Sequence, residues 1–219
     1  MALVLLVRHG QASFGAEDYD VLSETGVEQS RRLGAALAVQ GLTPGALVHG
    51  AMRRQRDTAA ALAEGAGWAL RPELDRGWDE FDHVAVVSRG LAADADLTDR
   101  RTFQRVFERA TARWSDGAHD ADYDEPWPAF LGRVREVLGR ALDREAVTVA
   151  VTSGGPIAAA CAQLVDQDAA TDVLPRLWSS FNTVLANASV TRVVQGSTGR
   201  RLLSFNEHSH LPRTLLTYR

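Results

Sequence analysis

The residues best suited to chemistry follow two apolar runs of the sequence. Arg8, His9 and Gly10 come directly after the first run, and Ser153-Gly154-Gly155-Pro156 comes after a later one. A histidine at the end of a buried strand loses hydration, which is costly unless a partner or a function compensates. The Arg8 charge disfavours protonation of His9, and a neutral imidazole nitrogen is a nucleophile that can accept a phosphoryl group. His9 is therefore either a nucleophile or an ordinary histidine satisfied by hydrogen bonds.

The second motif combines a glycine-rich turn with the start of a predicted helix. Free N–H groups and the positive dipole end of a helix amino terminus favour an anion such as phosphate. A purely structural turn has the same pattern. A nucleophilic Ser153 has less support, because the Gly-x-Ser-x-Gly pattern of serine hydrolases is absent and the sequence places no histidine base beside it.

The basic residues are all arginines. The 219 residues include 24 that are lysine or arginine, and none of these is lysine. Schiff-base catalysis, pyridoxal phosphate attachment and Walker-type phosphate loops need a lysine amine, so these classes are excluded. Arginine can still bind phosphate, since its planar guanidinium presents paired donors. Codon usage is the simpler explanation of this bias. Lysine-dependent chemistry is excluded whatever the cause.

Charge and cysteine content limit the binding partners and the cellular compartment to be expected. A formal net charge of −4 and a pI near 5.9 give no electrostatic reason for binding nucleic acid or an anionic membrane. Cys161 is the single cysteine, which excludes an internal disulfide and a cysteine metal cage; we expect it in the core. The apolar start, residues 2–7, is too short for a signal-peptide core or a membrane span. A cytoplasmic protein is expected.

The elements that must position these motifs alternate between strand and helix along most of the chain. This alternation is typical of a three-layer α/β/α fold with a mainly parallel sheet, in which ligands bind beyond the carboxyl ends of the strands. Strands are predicted at residues 2–7, 46–49, 68–70, 146–152, 189–194 and 202–205. Helices are predicted from a capping-box spacing at Thr25 to a stop at Gly41, and over residues 52–63, 102–114, 126–142 and 157–165.

Residues 75–125 have a different texture, with scattered aromatics, one predicted helix and an acidic run that ends at Glu125. We expect one domain over 1–219, with this stretch as a helical insertion over the strand carboxyl ends. The acidic run is interpreted as a solvated loop, because its spacing matches no calcium-binding pattern. The aromatic residues either line a pocket or pack the insertion, and packing is favoured; they are Trp78, Phe81, Phe103, Phe107 and Trp114.

In combination, the motifs resemble the histidine phosphatase, or phosphoglycerate-mutase-like, superfamily. The likeness covers both ends of the chain and matches the middle only loosely. It is carried by Val7-Arg8-His9-Gly10-Gln11, by Leu22-Ser23-Glu24-Thr25-Gly26-Val27-Glu28-Gln29, by Arg54 ahead of Thr58-Ala59, by the strand leading to Gly154-Gly155, and by Phe205-Asn206 with His210-Leu211.

The resemblance implies a role for each matched residue. His9 would be the phosphoryl-accepting nucleophile, and Glu80 would protonate the leaving oxygen and later help to activate water. A carboxylate that faces a phosphate dianion has a raised pKa, which suits this role. Asp75, Asp79 and Asp82 lie nearby and remain alternatives for the acid. The phosphate would be held by Arg8, Arg54, Ser153 and Gly154.

The chain departs from the family pattern at Ser153, because the family's second core histidine normally precedes the Gly-Gly turn. A serine can donate one hydrogen bond to a phosphate oxygen but cannot add the charge of an imidazolium. Loss of one transition-state donor commonly costs on the order of 10²–10³ in turnover. Either Ser153 acts as the donor, or His83 or His210 reaches the gap. The remaining histidines are expected at the surface: His49, His119 and His208.

The expected function is therefore a metal-independent phosphatase that hydrolyses a small phosphomonoester through a phosphohistidine, with no cofactor. A phosphoglycerate-type mutase is the alternative among enzymes. A weakly active or inactive phospholigand-binding protein is the alternative outside them. The partner would be a small phosphorylated substrate, and the resemblance also suggests a homodimer.

Overall fold

The computed structural model describes residues 2–13, 20–90, 100–144, 146–166 and 173–218, which form six strands and seven α-helices. The strands are β1 (Ala2–Arg8), β2 (Ala46–His49), β3 (Glu73–Leu74), β4 (Thr148–Thr152), β5 (Val190–Gly196) and β6 (Gly199–Glu207). The helices are α1 (Glu24–Val39), α2 (Arg53–Ala66), α3 (His83–Gly90), α4 (Arg100–Ser115), α5 (Trp127–Leu142), α6 (Gly154–Val165) and α7 (Val173–Val184).

The strands form one mixed sheet in the order β3-β2-β4-β1-β5-β6. β1 pairs in parallel with β4, β4 with β2, and β2 with β3, whereas β5 runs antiparallel to β1 and β6. A central strand covered on both faces needs apolar side chains on both sides, and β1 is fully buried from Val4 to Val7. The sheet is mainly parallel, as predicted.

Helices cover both faces of the sheet. On one face, Leu5 and Val7 of β1 pack against Leu33 of α1 and Leu62 of α2. On the other face, Leu6 belongs to a larger core cluster to which α5 and α6 contribute. The apolar stripe predicted for α5 is buried, as is Cys161 of α6. The three-layer α/β/α architecture is therefore confirmed.

The described residues of the stretch 75–125 form two α-helices, α3 and α4, where the sequence predicted one helix. Trp78, Phe81 and Trp114 are almost fully buried, and the rings of Phe81 and Trp114 stack with centroids 4.7 Å apart. Phe107 packs against the same cluster. These four aromatics pack the core, as favoured, but Phe81 and Trp114 also border a cavity, so both interpretations hold for those two. The side chain of Phe103 lies outside the described part of the structure.

The acidic run is tied to arginines rather than simply solvated. A short 3-10 helix spans Asp120–Asp122, and the Asp122 carboxylate pairs with Arg113. Glu125 binds Arg133, with 2.6 Å between Oε1 and Nε. The solvated interpretation holds best for Asp124, whose side chain is 93% exposed. Arg89 also pairs with Asp124, at 3.7 Å between Nη2 and Oδ2, so arginine contacts reach three of the acidic residues in this loop.

Other boundaries differ from the sequence prediction. The strand expected at 68–70 is wrong: Gly67 ends α2 in the left-handed conformation, and the pairing with β2 occurs later, at Glu73–Leu74. The helix cap expected at Thr25 is Ser23, whose hydroxyl accepts from the Gly26 N–H at 3.0 Å. α6 begins at Gly154 rather than Ile157, and α7 was not predicted. None of the helices formed by the described residues is long and apolar enough to cross a membrane.

Candidate active site

His9 and Ser153 follow neighbouring parallel strands. Arg8 lies opposite Thr152 in the register of β1 and β4, and the His9 backbone N–H donates to the Thr152 carbonyl at 2.9 Å. The carboxyl ends of parallel strands meet at one edge of the sheet, so the residues that follow them converge. The two motifs predicted to carry the chemistry therefore lie side by side.

The His9 imidazole is 5% exposed and is held at both ring nitrogens. Arg54 Nε lies 3.1 Å from His9 Nε2, and His9 Nδ1 lies 2.8 Å from the Gly10 carbonyl oxygen. An arginine N–H can only donate, so Nε2 is the acceptor and Nδ1 carries the proton that is donated to Gly10. Burial lowers the pKa of His9 well below its usual value, and the charges of Arg54 and Arg8 lower it further. His9 is thus a neutral imidazole with its lone pair on Nε2.

Arg54 lies in the first turn of α2 and is buried, with 5% exposure. Its Nη1 lies 2.7 Å from Asp20 Oδ1. Asp20 Oδ2 accepts from the backbone N–H of Arg53 at 2.7 Å, so this carboxylate holds both the helix start and the arginine. Asp20 was missed by the sequence reasoning because nothing in the sequence distinguishes it from the nearby Asp18.

Arg8 lies near the same site but has other contacts. Its Nη1 donates to the backbone carbonyls of Leu185 and, at 3.2 Å, Tyr218. Its Nε lies 3.9 Å from the position that a Cβ at Gly154 would occupy. The charge of Arg8 also lowers the pKa of His9. Arg8 therefore links the site to the carboxyl-terminal segment, and its phosphate-binding role stays a prediction.

Ser153 is 1% exposed and receives a hydrogen bond from Gln55, the residue after Arg54. Gln55 Nε2 donates to Ser153 Oγ at 2.9 Å. The sequence reasoning did not identify Gln55, since a glutamine on a polar helix has no distinguishing pattern. The first turn of α2 thus contacts both His9 and Ser153.

Glu80 lies against the amino terminus of α6. Its Oε2 accepts from the Gly155 N–H at 3.1 Å and its Oε1 from the Phe81 N–H at 3.1 Å. A Cβ at Gly155 would lie 2.1 Å from Glu80 Oε1, so only glycine permits this approach. Burial raises the pKa of Glu80, against the opposing effects of the Gly155 hydrogen bond and of Arg54. Among the four acidic candidates, Glu80 is the one with these contacts to the glycine-rich turn.

The remaining histidines occupy different environments. The pKa of His83 is lowered by burial and by the charge of Arg54, which places His83 within electrostatic reach of the site. Burial also lowers the pKa of His210, against the opposing effect of the Ala188 backbone. The surface prediction is wrong for His49, which is 7% exposed, because β3 and β4 flank its strand and Gly50 accepts its Nδ1–H at 2.7 Å.

The predicted surface position is confirmed for His119, which is exposed, whereas His208 is half-buried.

A cavity of about 410 Å³ borders Glu80 and extends to Phe81, Trp114 and Arg133. Within the described residues, no group of three histidine, cysteine or acidic side chains is arranged to hold a metal ion.

Comparison with known proteins gives one family and one fold. The model of the histidine phosphatase superfamily (branch 1) matches residues 4–208. A phosphoserine phosphatase from Entamoeba histolytica is similar in structure, with a TM-score of 0.66, 17% identity, and coverage of 97% of this chain and 100% of that chain.

Two further solved structures have the same fold. A phosphoglycerate mutase from Bacillus anthracis has a TM-score of 0.64 and 19% identity, covering 95% of this chain and 94% of that chain. A mycobacterial glucosyl-3-phosphoglycerate phosphatase has a TM-score of 0.59 and 21% identity, covering 94% of this chain and 99% of that chain. At these identities the similarity concerns the fold and not the substrate.

Proposed function

The chain belongs to branch 1 of the histidine phosphatase superfamily, and from this membership we propose that it hydrolyses a small phosphomonoester through a phosphohistidine at His9. The observation that carries the proposal is the state of His9, which is neutral, buried and hydrogen-bonded by Arg54 at Nε2. A nucleophile needs a lone pair, which neutral His9 carries on Nε2. The Arg54 N–H occupies this lone pair in the structure, so the proposal requires the guanidinium to turn its N–H from Nε2 to a phosphoryl oxygen when the phosphate binds.

In the first step, His9 Nε2 forms a bond to phosphorus while the bond between phosphorus and the ester oxygen breaks. Glu80, with its pKa raised by burial, transfers a proton to the departing oxygen, which leaves as an alcohol. In the second step the Glu80 carboxylate takes a proton from water as the water oxygen attacks phosphorus. The bond between Nε2 and phosphorus then breaks, which releases phosphate and restores neutral His9.

Positive charge and N–H donors surround the proposed phosphoryl position. Arg54 contacts the nucleophile directly, and the charges of Arg54 and Arg8 both act on Glu80. Ser153 precedes α6 and Gly154 begins it, and the amino terminus of this helix adds the positive end of a helix dipole. These groups would stabilise charge on the phosphoryl oxygens without a metal ion.

Turnover of p-nitrophenyl phosphate, with and without a chelator, tests the proposal. We expect the purified protein to release phosphate in both conditions and His9→Ala to reduce release to the uncatalysed background. His119→Ala, at an exposed histidine, is the matched control and should retain wild-type turnover. Equal rates for wild type and His9→Ala would refute the proposal, and a loss of rate on chelation would refute metal independence.

Ser153 favours a second candidate, a phospholigand-binding protein with little or no turnover, because a hydroxyl supplies no positive charge where the family pattern has a histidine. Calorimetric titration with inorganic phosphate separates the two functions. Binding without His9-dependent turnover would support the second candidate, whereas turnover would support the first. Incubation with phosphoglycerate would detect mutase activity directly.

A further inference from the structure

Gln55 is fully buried, and its side chain makes three polar contacts with described residues. Its Oε1 accepts from the Met52 backbone N–H at 3.3 Å, and its Nε2 donates to the Trp78 carbonyl at 3.3 Å and to Ser153 Oγ at 2.9 Å. A backbone N–H can only donate and a carbonyl can only accept, so these two backbone partners fix which end of the amide carries the hydrogens. Ser153 must therefore be the acceptor of the Gln55 hydrogen bond.

A hydroxyl that accepts from Gln55 directs its own proton elsewhere. Ser153 precedes α6, but within the described residues its hydroxyl makes no capping hydrogen bond and has no acceptor of its own. The residue is 1% exposed, so bulk water does not substitute for an acceptor. A buried donor left without an acceptor is costly, which makes a ligand oxygen its natural partner.

The position of Gln55 relates this hydroxyl to the nucleophile. Arg54 and Gln55 are adjacent in α2, and they contact His9 and Ser153 respectively. Gly50 leaves room for the glutamine, since a Cβ there would lie 2.2 Å from Gln55 Oε1. One helical turn thus aligns an imidazole and a hydroxyl that follow neighbouring strands.

We propose that Gln55 is a positioning residue that makes Ser153 a one-way hydrogen-bond donor to the phosphoryl group attacked by His9. This role rests on the proposed function and deepens it. The Gln55–Ser153 pair supplies a neutral donor where the family pattern has a histidine. The Thr152 hydroxyl also donates to the Trp78 carbonyl, at 2.6 Å, so removal of the Gln55 amide leaves that carbonyl with a donor.

A double-mutant cycle tests the coupling, using Gln55→Met, Ser153→Ala and both changes together. We expect each single variant to lower kcat/KM for p-nitrophenyl phosphate by about 10- to 100-fold, as for one hydrogen bond to a charged group. The double variant should be no worse than Ser153→Ala, because Gln55 acts through Ser153. The proposal would be overturned if the fold-loss of kcat/KM in the double variant equalled the product of the two single losses. Wild-type turnover by Gln55→Met would also overturn it. Gln163→Met, remote from the site on α6, is the matched control.

Gln55→Glu keeps the acceptor for the Met52 N–H and so covers the case in which Gln55→Met fails to fold. The introduced carboxylate presents an oxygen to Ser153, and the hydroxyl proton turns towards it. We expect a larger loss than in Gln55→Met and a recovery relative to wild type as the pH falls, because a protonated carboxyl donates again. If the kcat/KM of Gln55→Glu, divided by that of wild type, did not change with pH, the proposal would be contradicted.

Calorimetric binding of inorganic phosphate separates this proposal from the proposed function. If wild type lacks His9-dependent turnover, hydrolysis fails, but the positioning role still predicts weaker phosphate binding by Ser153→Ala and, to the same extent, by Gln55→Met. Equal affinities in all three proteins, or no binding by wild type, would overturn the positioning role.

Discussion

His9, Arg54 and Asp20 form a chain of contacts in which each side chain fixes the next. Asp20 holds the guanidinium, and the guanidinium Nε holds the imidazole at Nε2. Gly10 accepts at the opposite ring nitrogen, so the imidazole cannot rotate without loss of both hydrogen bonds. The histidine is therefore held as a neutral imidazole, with its tautomer set by two fixed neighbours.

This state of His9 makes folding stability depend on pH. Its folded-state pKa lies below the usual value, so in mildly acidic solution the unfolded chain binds a proton that the folded protein does not. The free energy of unfolding should fall as the pH drops below about 6.5, by at most ~1.4 kcal/mol per pH unit from this residue.

Urea unfolding of wild type and His9→Ala between pH 7 and pH 5 measures this contribution. The variant should lose less free energy of unfolding over this range, because it lacks the buried imidazole. His119→Ala, at an exposed position, is the control and should follow wild type. Parallel curves for wild type and His9→Ala would show that His9 does not resist protonation.

At the scale of elements, the start of α2 organises the site. Its first turn provides Arg54 and Gln55, and one turn later the Thr58 hydroxyl accepts from the Gly10 N–H at 3.0 Å. Met52, the residue before the helix, provides no side-chain capping hydrogen bond, and among the described residues Asp20 accepts from the Arg53 N–H instead. A loop after β1 therefore caps the helix that completes the site.

Asp20→Ala should remove the cap and the arginine partner together. We expect a loss of at least about 1 kcal/mol in the free energy of unfolding, because a lost helix cap typically costs that much and the buried Arg54 also loses the Asp20 carboxylate. We also expect a fall in kcat for p-nitrophenyl phosphate, because Arg54 would be less fixed. Chemical denaturation and steady-state kinetics measure the two effects.

Asp20→Asn separates the two roles of this residue. It keeps an oxygen for the helix N–H but loses the charge that faces Arg54, so stability should recover more than turnover. Glu28→Gln removes an exposed ion pair with Arg32 on α1 and should change neither quantity measurably. If Asp20→Ala had the same free energy of unfolding and the same kcat as Glu28→Gln, the Asp20 contacts would contribute to neither stability nor turnover.

At the scale of the whole molecule, Glu80 depends on packing far along the chain. Phe81, the next residue, stacks on Trp114 of α4 and meets Trp178 of α7 edge to face, with centroids 5.7 Å apart. The Trp178 indole N–H donates to the Gly155 carbonyl at 3.0 Å, beside the Glu80 carboxylate. Helices from three parts of the chain therefore fix the position of the proposed acid.

Trp114→Ala should disturb both stability and chemistry. Removal of a buried tryptophan typically costs about 3–5 kcal/mol, and the loosened Phe81 should displace Glu80 and lower kcat. Val39→Ala, at an 89% exposed site, is the control and should have little effect on either. Denaturation and p-nitrophenyl phosphate kinetics on the folded variant test this; unchanged kcat would mean that Glu80 is fixed independently of the aromatic cluster.

Local sequence was enough for much of the fold. Buried apolar runs predicted β1, β2 and β4, and the helical stripe predicted α5, because these signals depend on neighbouring residues. The predicted strand at 68–70 was wrong, and α3 and α7 were missed. α3 has only eight residues, which is short for a periodic pattern. α7 has an amphipathic pattern as pronounced as that of α5, so its signal was present in the sequence and was overlooked.

The sequence by itself determined which groups are available for chemistry: arginines without any lysine, a histidine after the first apolar strand, and a serine at the second motif. The tertiary structure decided how these groups act. Asp20 meets Arg54 across 34 positions of sequence, and Gln55 meets Ser153 across 98. Such contacts have no local pattern, because they arise only when the sheet brings distant loops to one edge. The direction of the Ser153 hydrogen bond is therefore a property of the fold.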